Sequence, residues 1–254
     1  NLFESKEKYF KTEFAYNCFD TEIHWSSESI EMSKSCKSQA KNFLLSSPLW
    51  SSKEFINKNF ILKDLEIEKK INNKKIISVF SSAFGAFNGV EGHFFLLKFL
   101  KEVLEKRDDI FILFKPKYDV NLLNEYFDLK NMLVSLNENK MFKLVKRVRS
   151  INLINISDLT ISMTYASPTI EAIAAGKKGF YADLINDFPG SPYKKIDNFV
   201  ADSIEDGLKK LDYWLSVDSN KFNNFLNNNI NLTMNFNNES ADFIRTIVQK
   251  EISK

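Results

Sequence analysis

Cysteine, histidine and long apolar runs are scarce in this sequence, and each scarcity excludes a class of protein. The 254 residues include only two cysteines and two histidines, so no second cysteine pair can complete a zinc site and a histidine-rich metal site is excluded. We expect Cys18 and Cys36 to be free thiols, with a disulfide between them as the alternative. No apolar run approaches the ~20 residues that a membrane span needs. Residues 1–12 are too highly charged for a signal peptide.

Motifs of nucleophilic catalysis and of the best-known nucleotide loops are also missing. No Ser/His/Asp set and no Cys/His pair has a recognisable spacing. The stretch "SSAFGAFNGVEG" contains neither G-x-G-x-x-G nor a P-loop. We interpret Gly85 and Gly89 as turn residues, and Ser82 as placed for a ligand. His24 is expected in the core or at an interface, and His93 at a structural or surface position.

The charge of the chain is nearly balanced, with 35 basic and 33 acidic residues and a net charge of +2. Nothing in this balance attracts nucleic acid, so any phosphate-binding site must be local. A predicted helix over residues 140–151 carries five basic side chains, which we interpret as a solvated face, with contact to an anionic membrane surface as the alternative. We expect a cytoplasmic protein, free or peripheral on the inner face of the membrane. Because the first residue is Asn, we also expect the chain to be a piece of a longer protein.

Strand and helix patterns alternate from about residue 74 onwards, which predicts a doubly wound, Rossmann-like α/β domain with a parallel sheet and helical ends. The predicted strands are 74–82, 109–114, 131–136, 159–163 and 178–182, and the predicted helices are 91–107, 120–129, 140–151, 168–175 and 203–215. Residues 22–45 predict a strand, a serine-capped helix and a second strand. The predicted divisions are the tail of a preceding domain with its connector over 1–60, the nucleotide-binding domain over 61–217, and C-terminal helices over 218–254.

The stretch "ISDLTISMTYASPTIEAIAAGKKGFYAD" predicts a strand, a small polar turn, a short helix and another strand. We expect Ser167 to cap the helix and Pro168 to occupy its first position. The exposed N–H groups and the dipole of such a terminus suit a phosphate, and Thr164 and Thr169 add hydroxyl donors. Glu171 is expected in the first turn, where its carboxylate would accept hydrogen bonds from a ribose. The alternative is that these residues only begin a helix.

Two lysines flank the proline that ends the second predicted strand. A proline cannot donate to a sheet ladder, so the strand must stop at Pro116. Ligands of open parallel sheets bind outside the carboxyl ends of the strands. Lys115 and Lys117 are therefore candidates for neutralising a phosphate, and two solvated lysines are the alternative.

Three segments around the polar turn resemble a known family. Asp158-Leu159, Ser167 to Ala172 and Gly176-Lys177 resemble the nucleotide-binding segment in the C-terminal domain of GT-B glycosyltransferases, above all those of bacterial capsule or lipopolysaccharide synthesis. The strand "FILFKPK" is similar to one that ends in Lys-Pro-His-Pro in several capsule-type transferases, and Lys117 stands in the place of the histidine. The resemblance covers residues 20–217.

This resemblance implies the donor-binding half of a GT-B enzyme, which transfers a sugar from a nucleotide sugar to a glycan or lipid-linked acceptor of a growing surface polysaccharide. It implies that Ser167 and Thr169 contact the donor phosphates, that Glu171 contacts the ribose, and that Lys115 lies beside the phosphates. The catalytic base would come from an N-terminal domain, and neither a metal nor a cofactor is expected. The alternatives are a nucleotide-sugar epimerase of the same architecture and a non-catalytic α/β binding module.

Overall fold

The structure, a computed structural model, divides into two compact units, and each is described by itself. The units are Asn1–Lys58 with Asn223–Lys254, and Asn59–Phe222. The domain boundaries predicted after residues 60 and 217 stay predictions. The residues that the structure describes are 19–25, 27–35, 38–46, 71, 73–83, 89–117, 123, 125–163, 166–189, 191–229 and 240–252. Cys18 and Cys36, and with them the prediction about their thiols, lie outside these residues.

Strands and helices alternate along most of the described chain. The strands are β1 (Thr21–His24), β2 (Asn42–Leu45), β3 (Lys75–Phe80), β4 (Ile110–Lys115), β5 (Phe142–Leu144), β6 (Leu159–Met163), β7 (Gly179–Ala182) and β8 (Val200–Ala201). The α-helices are α1 (Ser27–Ser35), α2 (Val90–Lys106), α3 (Phe127–Glu138), α4 (Ser150–Ile156), α5 (Ser167–Ala174), α6 (Ile204–Ser216), α7 (Ser219–Asn229) and α8 (Ser240–Ile252).

The first unit contains the strand, helix and second strand that the sequence predicts for residues 22–45. β1 and β2 pair in parallel, with Thr21 opposite Asn42 and His24 opposite Leu45. A parallel pair needs a crossover connection, and α1 forms part of it.

A buried carboxylate joins these elements. Glu22 of β1 is 8% exposed, and the hydroxyls of Ser33 and Ser38 donate to its two oxygens at 2.5 Å each. Nε2 of His24 lies 3.0 Å from the same carboxylate. Burial raises the pKa of the Glu22 carboxyl, but the hydrogen bonds from Ser33, Ser38 and His24 outweigh burial and lower its pKa below the ordinary value. The ionised carboxylate therefore fastens α1 and the chain after it to β1.

The second unit is built on a six-stranded parallel sheet in the order β5-β4-β3-β6-β7-β8. Counted along the chain, these six strands stand in the order 3-2-1-4-5-6, which is the order of the doubly wound nucleotide-binding fold. β3 lies inside the sheet and pairs with β4 on one side and β6 on the other. The predicted fold class, a doubly wound α/β domain with a parallel sheet, is therefore confirmed.

Helices bury both faces of this sheet, which explains why its strands read as continuous apolar runs. The five residues before Lys115 in β4 are all buried, as are five of the six residues of β3. On α2, the residues that face the core recur three and four positions apart, as in Leu96, Phe99, Leu100 and Val103. Each such buried side chain contributes roughly 1.5–3 kcal/mol relative to an exposed one.

The segment between β4 and β6 is where the sequence prediction is wrong. Residues 131–136, predicted as a strand, belong to α3, which begins where the helix predicted over 120–129 was to end. Residues 140–151, predicted as one helix, form β5, a turn and the start of α4. The buried leucines of α3 are spaced for one helix face, and the short run "LVSL" hides that spacing. β5 has only three residues, too few to show the alternation of a strand.

The basic helix predicted over residues 140–151 therefore does not exist. Lys140 precedes β5, whereas Lys146, Arg147 and Arg149 lie in the turn between β5 and α4. Arg147 has a φ of 59°, a left-handed conformation that no helix contains. The helical basis for the predicted membrane contact is lost. None of the helices among the described residues is long and apolar enough to cross a membrane.

A buried aspartate organises the loop that follows β7. Asp183 has no exposed surface and accepts hydrogen bonds from the backbone N–H groups of Asp187 and Phe188. Nζ of Lys194, which lies in a short 3₁₀-helix (Pro192–Lys195), is 2.9 Å from its carboxylate. Neither this loop nor the two-residue strand β8 was predicted, because both lack a periodic apolar pattern.

We expect the Asp183→Ala variant to lose about 3–5 kcal/mol of unfolding free energy, because it leaves the ammonium of Lys194 without its buried partner. Urea denaturation of wild type and variant measures this loss. Asp197→Ala, which removes an exposed carboxylate from the same part of the chain, is the control and should change stability little. Equal stability of the two variants would show that the pair does not hold the loop.

Glu22 predicts an acid-sensitive contribution to stability. Because its folded pKa is lowered, the contribution is complete above the ordinary carboxyl value of about 4.3 and is lost as the pH falls through the lower folded value. The difference in unfolding free energy between wild type and Glu22→Gln should therefore be constant from neutral pH downwards and shrink below about pH 4. Urea denaturation across this range tests it. Glu31→Gln, on the exposed side of α1, should give no such trend, and a difference for Glu22→Gln that does not depend on pH would contradict the assignment.

Candidate functional site

The candidate site lies where the order of the strands reverses, between β3 and β6. From β3 the chain proceeds outward through β4 to β5, and from β6 it proceeds the other way through β7 to β8. In open α/β sheets the connections after two such strands lead to opposite faces of the sheet, and the crevice at this switch point is where ligands bind.

The N-terminus of α5 borders this crevice and has no side-chain cap. Its N-cap residue is Ala166, in extended conformation with φ −66° and ψ 140°. The prediction that Ser167 is the cap is therefore wrong: Ser167 is the first helical residue and Pro168 the second. An alanine cannot accept a hydrogen bond through its side chain, so the first N–H groups of α5 receive none from the N-cap side chain.

Glu171 directs its carboxylate back towards this N-terminus. Because α5 begins at Ser167, one residue before the predicted start, Glu171 is its fifth residue instead of its fourth and lies just beyond the first turn. Side chains lean towards the N-terminus of a helix, and the hydroxyl of Ser167 donates to Oε1 of Glu171 at 2.8 Å. Glu171 is only 8% exposed, so the serine and the glutamate form one polar group at the start of α5.

Thr169 faces the sheet and not the crevice. Its side chain is completely buried, and its hydroxyl donates to the carbonyl oxygen of Phe180 at 3.1 Å. A Cβ added at Gly179 would lie 3.5 Å from the methyl group of Thr169, which shows how closely α5 and β7 pack. The structure therefore uses this hydroxyl in packing and leaves only the backbone N–H of Thr169 at the helix terminus.

Two serines join the loop after β3 to its neighbours. The hydroxyl of Ser82 donates to the sulfur of Met163, the last residue of β6, at 3.4 Å. The hydroxyl of Ser81 accepts from the N–H of Lys117 at 3.1 Å and thereby fixes the loop after β4. Both serines are buried. Ser82, predicted as the last residue of the first strand, lies two residues after β3, at the switch point, and its role towards a ligand stays a prediction.

His93 closes the loop between β3 and α2. Its ring is 1% exposed, with Nδ1 3.0 Å from the carbonyl oxygen of Gly89 and Nε2 3.1 Å from that of Ser82. The two carbonyls belong to the two ends of the loop. His93 therefore has a structural role, as predicted, and it lies in the first turn of α2, as predicted.

The two candidate lysines differ in their surroundings. Lys115 ends β4 just before Pro116, as the proline predicted, and is half-buried, whereas Lys117 is exposed. Phe80 of β3 is the register partner of both Lys115 and Ser162. Side chains at paired positions share a face of the sheet, so Lys115 lies on the face of Ser162, about 10 Å from β6 at two strand spacings. It can therefore reach the crevice from one side.

Some candidate residues lie outside the described part of the chain, and so the predictions about them stay predictions. These residues are Thr164 and Gly85. Among the described residues, no group of three or more His, Cys, Asp or Glu side chains is arranged to hold a metal ion.

A family model identifies what the chain is related to. Residues 7–211 match the model described as polysaccharide biosynthesis PFTS motif protein. The chain belongs to this family. A search of curated protein sequences finds no match.

Solved structures show the same architecture as this PFTS motif protein. The wall teichoic acid polymerase TagF is 17% identical, with a TM-score of 0.60 over 98% of this chain and 62% of its own. A glycosyltransferase from Rickettsia africae is 20% identical, with a TM-score of 0.57 over 98% and 67%. A UDP-GlcNAc 2-epimerase from Methanocaldococcus jannaschii, solved with UDP-GlcNAc and UDP, is 12% identical, with a TM-score of 0.61 over 91% and 61%. At these identities the likeness shows the fold alone, a Rossmann-like fold of the GT-B type. The chain spans about three fifths of the length of the TagF structure.

One contributor to the candidate site was not found from the sequence. Ala166 is the N-cap of α5 and has no side chain that can cap the helix. No sequence pattern marks a missing cap when a serine follows at once.

We expect the His93→Leu variant to lose about 1–3 kcal/mol of unfolding free energy, because a buried carbonyl group of the loop loses the imidazole N–H that donates to it. His93→Gln, which keeps a polar group at this position, is the matched control and should lose less. Thermal and urea denaturation measure both losses. A leucine variant as stable as wild type would show that the ring does not hold the loop.

Proposed function

We propose that this chain is the donor-binding part of a glycosyltransferase that transfers a sugar from a nucleotide sugar to a growing surface polysaccharide of the capsule or lipopolysaccharide type. The observation that carries the proposal is the uncapped N-terminus of α5 at the switch point of the sheet. Membership of a polysaccharide biosynthesis family supports the polysaccharide product. The structures solved with UDP or UDP-GlcNAc support a nucleotide sugar as the donor.

The donor diphosphate would bind at the start of α5. The N–H groups of Ser167 and Thr169 belong to the first turn, where the positive end of the helix dipole favours an anion. The hydroxyl of Ser167 is exposed enough to turn from Glu171 to a phosphate oxygen. Thr164 would add a second hydroxyl from the turn before the helix. The side chain of Thr169 takes no part in this proposal, because its hydroxyl is engaged with Phe180.

Ser82 and the two lysines would complete the phosphate site from the side of β3 and β4. A thioether sulfur is a weak acceptor, so the hydroxyl of Ser82 gives up little when it turns from Met163 to a phosphate. The ammonium of Lys115 would neutralise charge from the same face of the sheet, and Lys117 would do so from the rim.

Glu171 would bind the ribose of the donor. An ionised carboxylate is a pure acceptor that takes hydrogen bonds from two neighbouring hydroxyls. The carboxylate lies at the edge of the phosphate site and already accepts from Ser167. A ribose hydroxyl that donates to Glu171 in place of Ser167 would free the hydroxyl of Ser167 to donate to the phosphate.

The acceptor would be a glycan or a lipid-linked sugar at the inner face of the membrane. Its hydroxyl would be deprotonated by a base from an N-terminal domain, as in related inverting enzymes, and no cofactor besides the nucleotide sugar is needed. We assign the base to no residue of this chain.

A nucleotide-sugar epimerase is the second candidate. The fold of the M. jannaschii UDP-GlcNAc 2-epimerase matches this chain with a TM-score of 0.61, which favours this candidate as much as the TagF match favours the transferase. Incubation with UDP-GlcNAc and no acceptor separates the two, since only an epimerase would form the 2-epimer. A non-catalytic binding module would bind the nucleotide and give no product in either assay.

We expect wild-type protein to bind UDP, and the Glu171→Ala and Lys115→Gln variants to bind it about tenfold more weakly each, because each loses an interaction with a charged group. Isothermal titration calorimetry measures the affinities. Lys209→Gln, which neutralises an exposed lysine on α6, should bind as wild type does.

Melting curves without nucleotide show whether each variant is folded before its affinity is compared. The donor proposal fails if UDP, GDP and CMP nucleotides all leave the wild type unbound. The assignment of Glu171 and Lys115 fails if their variants bind UDP as tightly as Lys209→Gln.

A further inference from the structure

Five cations stand at the carboxyl ends of two neighbouring strands, β4 and β5. They are Lys115, Lys117, Lys146, Arg147 and Arg149, of which Lys115 is half-buried and the other four are exposed. Among the described residues, none of the five forms an ion pair, whereas seven other cations of the second unit do. In a chain with a net charge of only +2, this is a local concentration of uncompensated positive charge.

The backbone places the cations at the end of β4 and those at the end of β5 side by side. Phe114 of β4 is the register partner of Leu144 of β5, and the N–H of Val145 donates to the carbonyl of Phe114 at 2.8 Å. The turn with Arg147 and Arg149 therefore begins about 5 Å from the end of β4, at one strand spacing. The left-handed φ of 59° at Arg147 turns the chain there into α4.

The β5 cluster, defined as Lys146, Arg147 and Arg149, lies beyond the reach of the donor diphosphate. β5 is two strands from β3 and three from β6, so its end stands about 10 to 15 Å from the switch point. A ligand group that binds the cluster at that distance would be separate from the donor diphosphate. The acidic residues that follow β4 in the described chain, Glu125 and Asp128, form no ion pair with the cluster.

We propose that the β5 cluster binds phosphate groups of the acceptor, next to the site for the donor. This rests on the proposed function, which supplies the acceptor. Two of the three cations are arginines, whose planar fork matches the oxygens of a phosphate. A chain or carrier with phosphate groups would be held along the carboxyl edge of the sheet, with its growing end directed to the crevice.

A membrane surface is the competing partner for these charges. Phe127, at the start of α3, is 73% exposed and would supply an apolar contact beside the cations. However, the cluster and the crevice share one edge of the sheet, and a bilayer lying on that edge would cover the crevice through which the donor enters. Phosphates of a soluble or extended acceptor leave the crevice open.

The experiment compares wild type, a cluster variant and a control variant, each as the full chain and at low salt. The cluster variant carries Lys146→Gln, Arg147→Gln and Arg149→Gln. The control variant carries Lys98→Gln, Lys140→Gln and Lys221→Gln, which removes three exposed charges from other places, including the amino end of β5. Each protein is titrated with short-chain inorganic polyphosphate and with UDP, and is tested for co-sedimentation with vesicles that contain an anionic phospholipid.

We expect the cluster variant to bind polyphosphate at least about tenfold more weakly than wild type, since three cations contribute, while the control variant changes much less. UDP affinity should be the same in all three proteins. Loss of polyphosphate binding in the cluster variant alone, with UDP bound equally by all three proteins, supports the proposal. If UDP fails to bind wild type, the transferase proposal fails and the assignment of the cluster to an acceptor fails with it, whereas the loss of polyphosphate binding still shows that the cluster binds phosphate groups. Equal loss in both variants, a parallel loss of UDP affinity in the cluster variant, or binding of wild type to vesicles but not to polyphosphate would each overturn the acceptor proposal.

Discussion

β3 pairs with β4 on one side and with β6 on the other, and the order of the strands reverses at this point. The geometry of the candidate site depends on that pairing. Phe80, its last residue, is in register with Lys115 of β4 and with Ser162 of β6. The same register lets Ser78 donate to the carbonyl of Leu153 beneath α4. Side chains alternate between the faces of a strand, so a shift of β3 by one residue would turn Ser78 away from Leu153 and take Phe80 out of register with Lys115 and Ser162. The register therefore fixes which loops meet.

The sequence predicts those parts of the fold whose apolar pattern is long or uninterrupted. β3, α2, β4, β6 and α5 stand within a residue or two of their predicted bounds, because each is buried deeply enough to make its pattern regular. The prediction fails between β4 and β6, where α3 is only partly covered and Phe127 and Val134 remain exposed. There the exposed apolar side chains hide the helical spacing of the buried leucines, and a short apolar run was given the wrong period.

For the candidate site, the sequence locates the turn but not the direction of its side chains. Ser167 and Glu171 were selected together, and the structure brings them together through a hydrogen bond. Thr169 was selected by the same reasoning, and yet its hydroxyl enters the interface between α5 and β7. There it donates to the carbonyl oxygen of Phe180 in β7. That contact is a property of two packed elements, so no local pattern contains it.

The lack of a capping side chain at the start of α5 lowers the stability of the folded protein, and a ligand can restore that stability. Replacing a good N-cap by alanine costs about 0.5–2 kcal/mol, and Ala166 occupies that position although serines and threonines are common around it. An anion bound there would accept hydrogen bonds from the N–H groups of the first turn and would stabilise the folded state by mass action. A capping side chain at residue 166 would compete with such an anion for the same groups. Ala166 offers no such competition at the switch point of the sheet, and for this reason the proposed donor site rests more on the start of α5 than on the lysines around it.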